Sequence, residues 1–499
     1  MMTDVLRASK FSEWKEDFNW DTCLTGREKY GNFLVSILTS ETNGHVINLN
    51  GAWGTGKTEL LKRLYVSIAK KQHPVIYINA WESDFINDPL SVICAEFLNQ
   101  LGYLLANSRP TKELVDIHEA LNKLMGSISK VAYIFKLSSL GYKAVTGDAT
   151  LNEEFDFSQT LLDLTTQQNS SSMSLENYNK SIISSMLGNQ IDLVEGMKEI
   201  RIQITSISHI LCDIYGCNSP IIILVDELDR CRPDYAIKTL EVIKHFFDVD
   251  GCNFLIASDT ESLQESIKCI YGQGFDSERY LRRFFNQKIA LKKPSLYNYL
   301  LKKGIDFDGM CPNMTLTPYS NDNERKIKLL SEMLNNDKFE LRDIERFIQK
   351  LTACIGYISK FNVKNAKFIN FCVLAYGIYE HEKNVNIFKE RTNKMSSHGI
   401  HCNGYISNGM SVSNFITIHF KMVTLANSSK RYNLDGGWGS CSYQTEMLTV
   451  ESQDLQTRDW RREDLIECER LIQNYRNAPN SFLLWEDYQK LIGLTDAIE

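Results

Sequence analysis

Nine consecutive residues carry the first chemical signal. Gly51-Ala52-Trp53-Gly54-Thr55-Gly56-Lys57-Thr58 fits the phosphate-binding pattern G-x-x-x-x-G-K-[ST], with Glu59 next in line. A triphosphate needs backbone N–H groups that converge on its oxygens. Glycines let a chain take that path and approach closely, and a following helix adds its positive end. In this arrangement Lys57 is expected to reach the β- and γ-phosphates, and the Thr58 hydroxyl to ligate Mg²⁺. Residues 51 to 59 are therefore the predicted nucleotide-binding set.

A second signal lies far downstream. Ile221 to Val225 is a continuous apolar run, followed at once by Asp226-Glu227-Leu228-Asp229-Arg230. A carboxylate at the end of a buried parallel strand is the expected partner of the phosphate loop, so Asp226 is assigned to Mg²⁺. Glu227 beside it is suited to orient and deprotonate an attacking water. Taken together, the two segments predict nucleoside-triphosphate hydrolysis.

The elements around these segments must place them on one sheet. Val46 to Leu49, Val75 to Asn79, Ile221 to Val225, Asn253 to Ala257 and Gln287 to Leu291 read as five strands, and helical periods connect them. The phosphate loop is preceded by an amphipathic helix over Tyr30 to Leu38 and followed by one over Glu59 to Ser67. The predicted fold class is α/β: a P-loop NTPase core with a five-stranded, mainly parallel sheet, a large helical insertion, a helical lid and a C-terminal mixed module. We divide the chain into an N-terminal segment (1–30), the core (31–293, with the insertion at about 84–217), the lid (294–382) and the module (383–499). Helices are expected over Tyr235 to Phe247, Ser277 to Phe285, Lys326 to Leu334, Leu341 to Ile355, Lys367 to His381, Asp459 to Tyr475 and Ser481 to Ile492. The stretch Phe415 to Val423 alternates and reads as β or irregular structure.

Composition narrows the class further. The chain has 499 residues, 43% of them hydrophobic, which is ordinary for a protein with a large core. A net charge of −7 argues against wholesale coating of nucleic acid. Thirteen cysteines without a C-x-x-C pair suggest buried thiols in a reducing cytoplasm. His398, His401, Cys402 and Cys441 cluster loosely, but their spacing fits no standard metal site. The apolar run Val131 to Val145 is interrupted by lysines and is too short to span a bilayer, so no membrane association is expected.

The motifs resemble a known family. Asn79-Ala80-Trp81 and Val225-Asp226-Glu227-Leu228-Asp229-Arg230-Cys231-Arg232-Pro233-Asp234 look like the signature of the KAP family of P-loop NTPases, in the additional-strand division. The 169 positions from Lys57 to Asp226 suit that family's long insertion. The resemblance implies ATP as substrate and an extra strand between those that carry the two motifs. It also implies that Asp259 senses the γ-phosphate and that Arg342, in an R-x-x-x-R helix with Arg346, belongs to the lid. Arg283 matches a basic residue that in related ring ATPases reaches a neighbour's γ-phosphate. A homo-oligomer, a partner effector protein or both are expected. Many members read D-D-L-D-R where this chain has Glu227, and many carry transmembrane helices that this chain lacks. Three functions follow: a switch or assembly ATPase working with partners in bacterial anti-phage defence, a nucleic-acid-dependent motor, and a nucleotide-binding scaffold with little turnover. Intact Lys57, Asp226 and Glu227 count against the scaffold, and the acidic charge counts against the motor.

Overall fold

A computed structural model describes residues 4–107, 190–423 and 481–497, apart from short stretches within them, together with Lys123, Leu124, Gly126 and Leu471. The chain forms two compact units, Met1–Lys293 and Pro294–Glu499. Most of the insertion, the apolar run 131–145, and nearly all of the helix expected over 459–475 lie outside the described residues.

The first unit is built on a five-stranded parallel sheet in the order β2-β3-β4-β1-β5. These strands are β1 (Val46–Asn50), β2 (Val75–Asn79), β3 (Ile221–Asp226), β4 (Cys252–Ser258) and β5 (Gln287–Ala290). Every residue of β3 and β4 is buried, as unbroken apolar runs with helices on both faces require. β4 lies between β1 and β3, so the extra strand stands where the resemblance implied.

Among the described residues, the helices around this sheet include α1 (Glu28–Ser40), α2 (Lys57–Lys70), α3 (Pro89–Ala106), α4 (Gln190–Tyr215), α5 (Pro233–Phe246), α6 (Thr260–Tyr271) and α7 (Ser277–Leu281). In α2, Leu60, Leu61, Leu64 and Ile68 repeat three and four apart and are fully or nearly fully buried. At about 1.5 to 3 kcal/mol for each buried side chain of this size, that face anchors the helix far more firmly than intrinsic propensity could. The N-terminal segment joins the same core, since Val5, Leu6 and Ala8 pack into it. α7 is shorter than expected: Arg282 caps it and a turn carries Arg283, while Leu281 and Phe284 are buried.

The second unit contains α8 (Leu296–Lys302), α9 (Asn323–Leu334), α10 (Leu341–Phe361), α11 (Phe371–Lys383), α12 (Val385–Glu390), α13 (Val412–Lys421) and α14 (Trp485–Gly493). It departs from the sequence reading in its secondary structure. Lys367 to Asn370 was read as helix, but Phe368–Asn370 is a short strand (β7) paired with Thr315–Thr317 (β6), and the Asn370 side chain then caps α11. Phe415 to Val423 was read as β or irregular. It lies mostly in α13, because Val412, Phe415, Ile416, His419 and Phe420 bury a helical stripe that outweighs the alternation. Asn370 N donates to the Tyr488 hydroxyl at 2.7 Å and Trp485 donates its indole N–H to Arg391 O at 2.6 Å, so α14 is tied to residues on both sides of position 382.

Candidate active site

The phosphate loop leaves β1 at Asn50 and enters α2 at Lys57, with Gly56 as the N-terminal cap residue. Gly54 and Gly56 have φ of 72° and 83°, values that side chains with a Cβ rarely adopt. Gly51 is needed for a different reason. A Cβ there would lie 2.8 Å from Thr55 Oγ1 and 3.2 Å from Leu291 Cβ. The Asn50 side chain accepts from Thr260 N at 2.9 Å, and Gly51 N donates to Ser258 O at 3.2 Å, so the start of the loop is tied to the end of β4.

A residue that sequence reasoning missed holds the loop from below. The buried guanidinium of Arg27 donates to Thr55 O at 2.7 Å and to Lys292 O at 2.8 Å, bridging the loop to the segment after β5. Burial pulls its pKa down, and the nearby Glu59 carboxylate opposes that. Glu59 itself is engaged by Arg63, whose Nη2 lies 2.8 Å away. Nothing in the local pattern around Arg27 marks it out from a surface arginine.

Asp226 ends β3 with no exposure at all. Its carboxylate accepts from the Tyr77 hydroxyl at 2.9 Å and from Glu227 N at 2.9 Å, and the Thr58 side chain stands near enough to favour its charged form. Burial pushes this carboxyl up, while Thr58, Tyr77 and Glu227 N favour its charged form. Tyr77 reaches it because β2 and β3 run in parallel register, Tyr77 beside Leu224 and Asn79 beside Asp226. The two strands were visible in the sequence, but their register was not.

Glu227 turns the chain sharply, with φ 57° and ψ 26° in the left-handed region. For a glutamate this conformation is uncommon, and it is the kind of local strain found at functional sites. Burial raises its carboxyl, and Arg230, 3.1 Å away, draws it back.

Asp229, also unassigned from sequence, belongs to the loop as much as to its own turn. Its Oδ2 accepts from Trp53 Nε1 at 2.6 Å and lies 3.5 Å from Lys57 Nζ, while its buried Oδ1 has no partner among the described residues. Lys57 Nζ also donates to Gly51 O at 2.7 Å. The second aspartate of the D-E-L-D-R run was the available clue.

The structure therefore brings together Lys57, Thr58, Asp226, Glu227 and the loop 51–59. Asp259 stands at the end of β4 as the cap of α6, its carboxylate accepting from Glu261 N at 3.1 Å and Ser262 N at 3.4 Å. Arg283 is exposed just before β5. Arg342 is exposed in α10 of the second unit.

The donor set fits a hard divalent cation: a hydroxyl and a buried carboxylate already meet, with no soft ligand between them. It also fits a phosphate chain, given the convergent loop and Lys57. A family model described as the KAP family P-loop domain matches residues 27–357. No curated protein matches the chain.

Proposed function

We propose that this chain, which belongs to the KAP family of P-loop NTPases, binds ATP with Mg²⁺ and hydrolyses it. The placement of Lys57 and Thr58, at the start of α2, beside the buried Asp226 at the end of β3 carries the reading, because it joins the loop that would hold phosphate to the carboxylate that would hold metal. When bound, Mg²⁺ supplies charge neutralisation at the phosphates. Lys57 exchanges its contacts with Gly51 and Asp229 for phosphate oxygens. Glu227 accepts the proton of the attacking water on its carboxylate, and the left-handed turn fixes where that carboxylate stands.

Glu227→Gln tests this reading. The variant is expected to keep nucleotide bound while single-turnover hydrolysis slows by about 10² to 10⁴, the usual contribution of a positioned base. Undiminished turnover would remove Glu227 from the role.

Two finer statements rest on the family resemblance. The cycle works as a switch or assembly ATPase with copies of the chain or a partner effector, in anti-phage defence in the bacterial cytoplasm. Arg283 supplies charge across a subunit boundary. Among the described residues no helix is long and apolar enough to cross a membrane, in keeping with this reading.

A further inference from the structure

Arg230 is the cation that faces Glu227. Its Nη1 lies 3.1 Å from Glu227 Oε1, across a 3-10 turn (Leu228–Arg230) that places the two residues three apart on one side. Two tryptophan rings approach the guanidinium, with centroids 5.9 Å away for Trp53 and 5.7 Å for Trp81. They come from different elements: Trp53 from the phosphate loop, Trp81 from the 3-10 turn Trp81–Ser83 after β2. Each ring is 50% exposed. Trp53 is fixed by its N–H on Asp229.

This geometry suits arginine in particular. A planar guanidinium stacks on aromatic faces while its edge pairs with a carboxylate, which a lysine ammonium cannot do in the same way. The other charged groups acting on Glu227 are the carboxylates of Asp226, Asp229 and Glu82, all of its own sign. Arg230 therefore decides where the Glu227 carboxylate points. An oxygen paired with a guanidinium is held in that direction and is a weaker base, so Glu227 takes a proton best once the pair with Arg230 has opened.

We propose that Arg230, clamped between Trp53 and Trp81, is a positioning residue that withholds Glu227 from the attacking water, and that its release limits turnover. One wall of the clamp is part of the phosphate loop, so nucleotide contacts that shift Trp53 loosen the hold on Glu227. The inference rests on Glu227 as the base.

The test compares kcat and KM for ATP in the full chain for wild type, Arg230→Ala, Arg230→Lys, Trp81→Leu, Glu227→Gln and the Arg230→Ala, Glu227→Gln double variant. Arg230→Ala is expected to raise kcat roughly 5- to 10-fold, within the range of one unlatched contact, with KM within about twofold. Trp81→Leu and Arg230→Lys should move kcat the same way by less. The double variant should be as slow as Glu227→Gln. If Glu227→Gln is slow but Arg230→Ala leaves kcat at or below wild type, the withholding role is overturned and the base assignment stands. Should Glu227→Gln turn over at the wild-type rate, both fall together. Where Arg230→Ala does not fold, Trp81→Leu decides: a rise in kcat supports the clamp, and no rise overturns it.

Discussion

Lys57 and Asp229 meet at 3.5 Å with both side chains withdrawn from solvent, 9% and 2% exposed. The ammonium that should bind phosphate is thus already neutralised by a carboxylate of the neighbouring turn. A triphosphate must compete for Lys57, and it must then lie near a buried negative charge. At about 6 Å and an effective dielectric near 20, such a repulsion is on the order of 2 to 3 kcal/mol before relaxation.

Asp229→Asn should therefore strengthen nucleotide binding, by about tenfold after allowance for relaxation, since the amide can still accept from Trp53 without carrying charge. Equilibrium titration with a labelled ATP analogue measures this. Weaker binding would mean instead that Asp229 pre-positions Lys57.

Arg27 gives a second prediction. Its two hydrogen bonds join Thr55 in the loop to Lys292 after β5. Arg27→Met keeps the aliphatic bulk and removes every donor, leaving two carbonyls unsatisfied. Stability in urea should fall by about 2 to 3 kcal/mol, the range for losing hydrogen bonds from a charged donor. Nucleotide affinity should drop as well, because the loop loses its support. A loss of affinity without a loss of stability would show that Arg27 serves the ligand alone.

The core of this site was legible because its chemistry is local. Residues 51–58 and Asp226-Glu227 declare themselves through residue type and spacing, and an apolar run such as Ile221 to Val225 has few alternatives to a buried strand. The resemblance supplied the strand between those that carry the two motifs, and the rest of the strand order was not legible. Contacts that depend on register or distant pairing were not legible. Tyr77 meets Asp226 only because two strands align, and Arg27 meets Lys292 across 265 positions. In the second unit, Phe415 to Val423 alternates and also fits a helical stripe, so periodicity alone could not choose. Packing of Phe415 against Tyr319 and of Phe420 against Trp485 favoured the helix.

His419 makes the stability of the second unit depend on pH. It lies on α13 with no exposure, and its Nδ1 stands 3.2 Å from Asn370 Nδ2. An amide nitrogen only donates, so Nδ1 accepts and Nε2 keeps the proton. Burial pulls its pKa down to about 3 from an ordinary 6.5. Between those values the unfolded chain binds a proton that the folded chain refuses, so stability falls as pH drops below about 6.5. The slope from this one group is about 1.4 kcal/mol per pH unit. His419→Gln, whose amide oxygen can accept from Asn370, should melt with a shallower pH dependence than wild type between pH 7 and 5. Identical slopes would exclude His419 as the source.

Arg283 tests whether the site is complete within one chain. It follows α7, where Leu281 and Phe284 turn inward and Arg282 pairs with Glu278, leaving Arg283 on the exposed side with no partner among the described residues. A cation placed at a neighbour's γ-phosphate stabilises charge in the transition state and can be worth ~10³ or more in rate. Arg283→Ala is then expected to bind ATP as wild type does and to hydrolyse it poorly. Mixing it with Lys57→Ala subunits should restore part of the activity, because one variant contributes an intact phosphate loop and the other an intact arginine. Turnover per subunit that stays constant on dilution to a proven monomer would rule out the shared site, and full activity of Arg283→Ala would do the same.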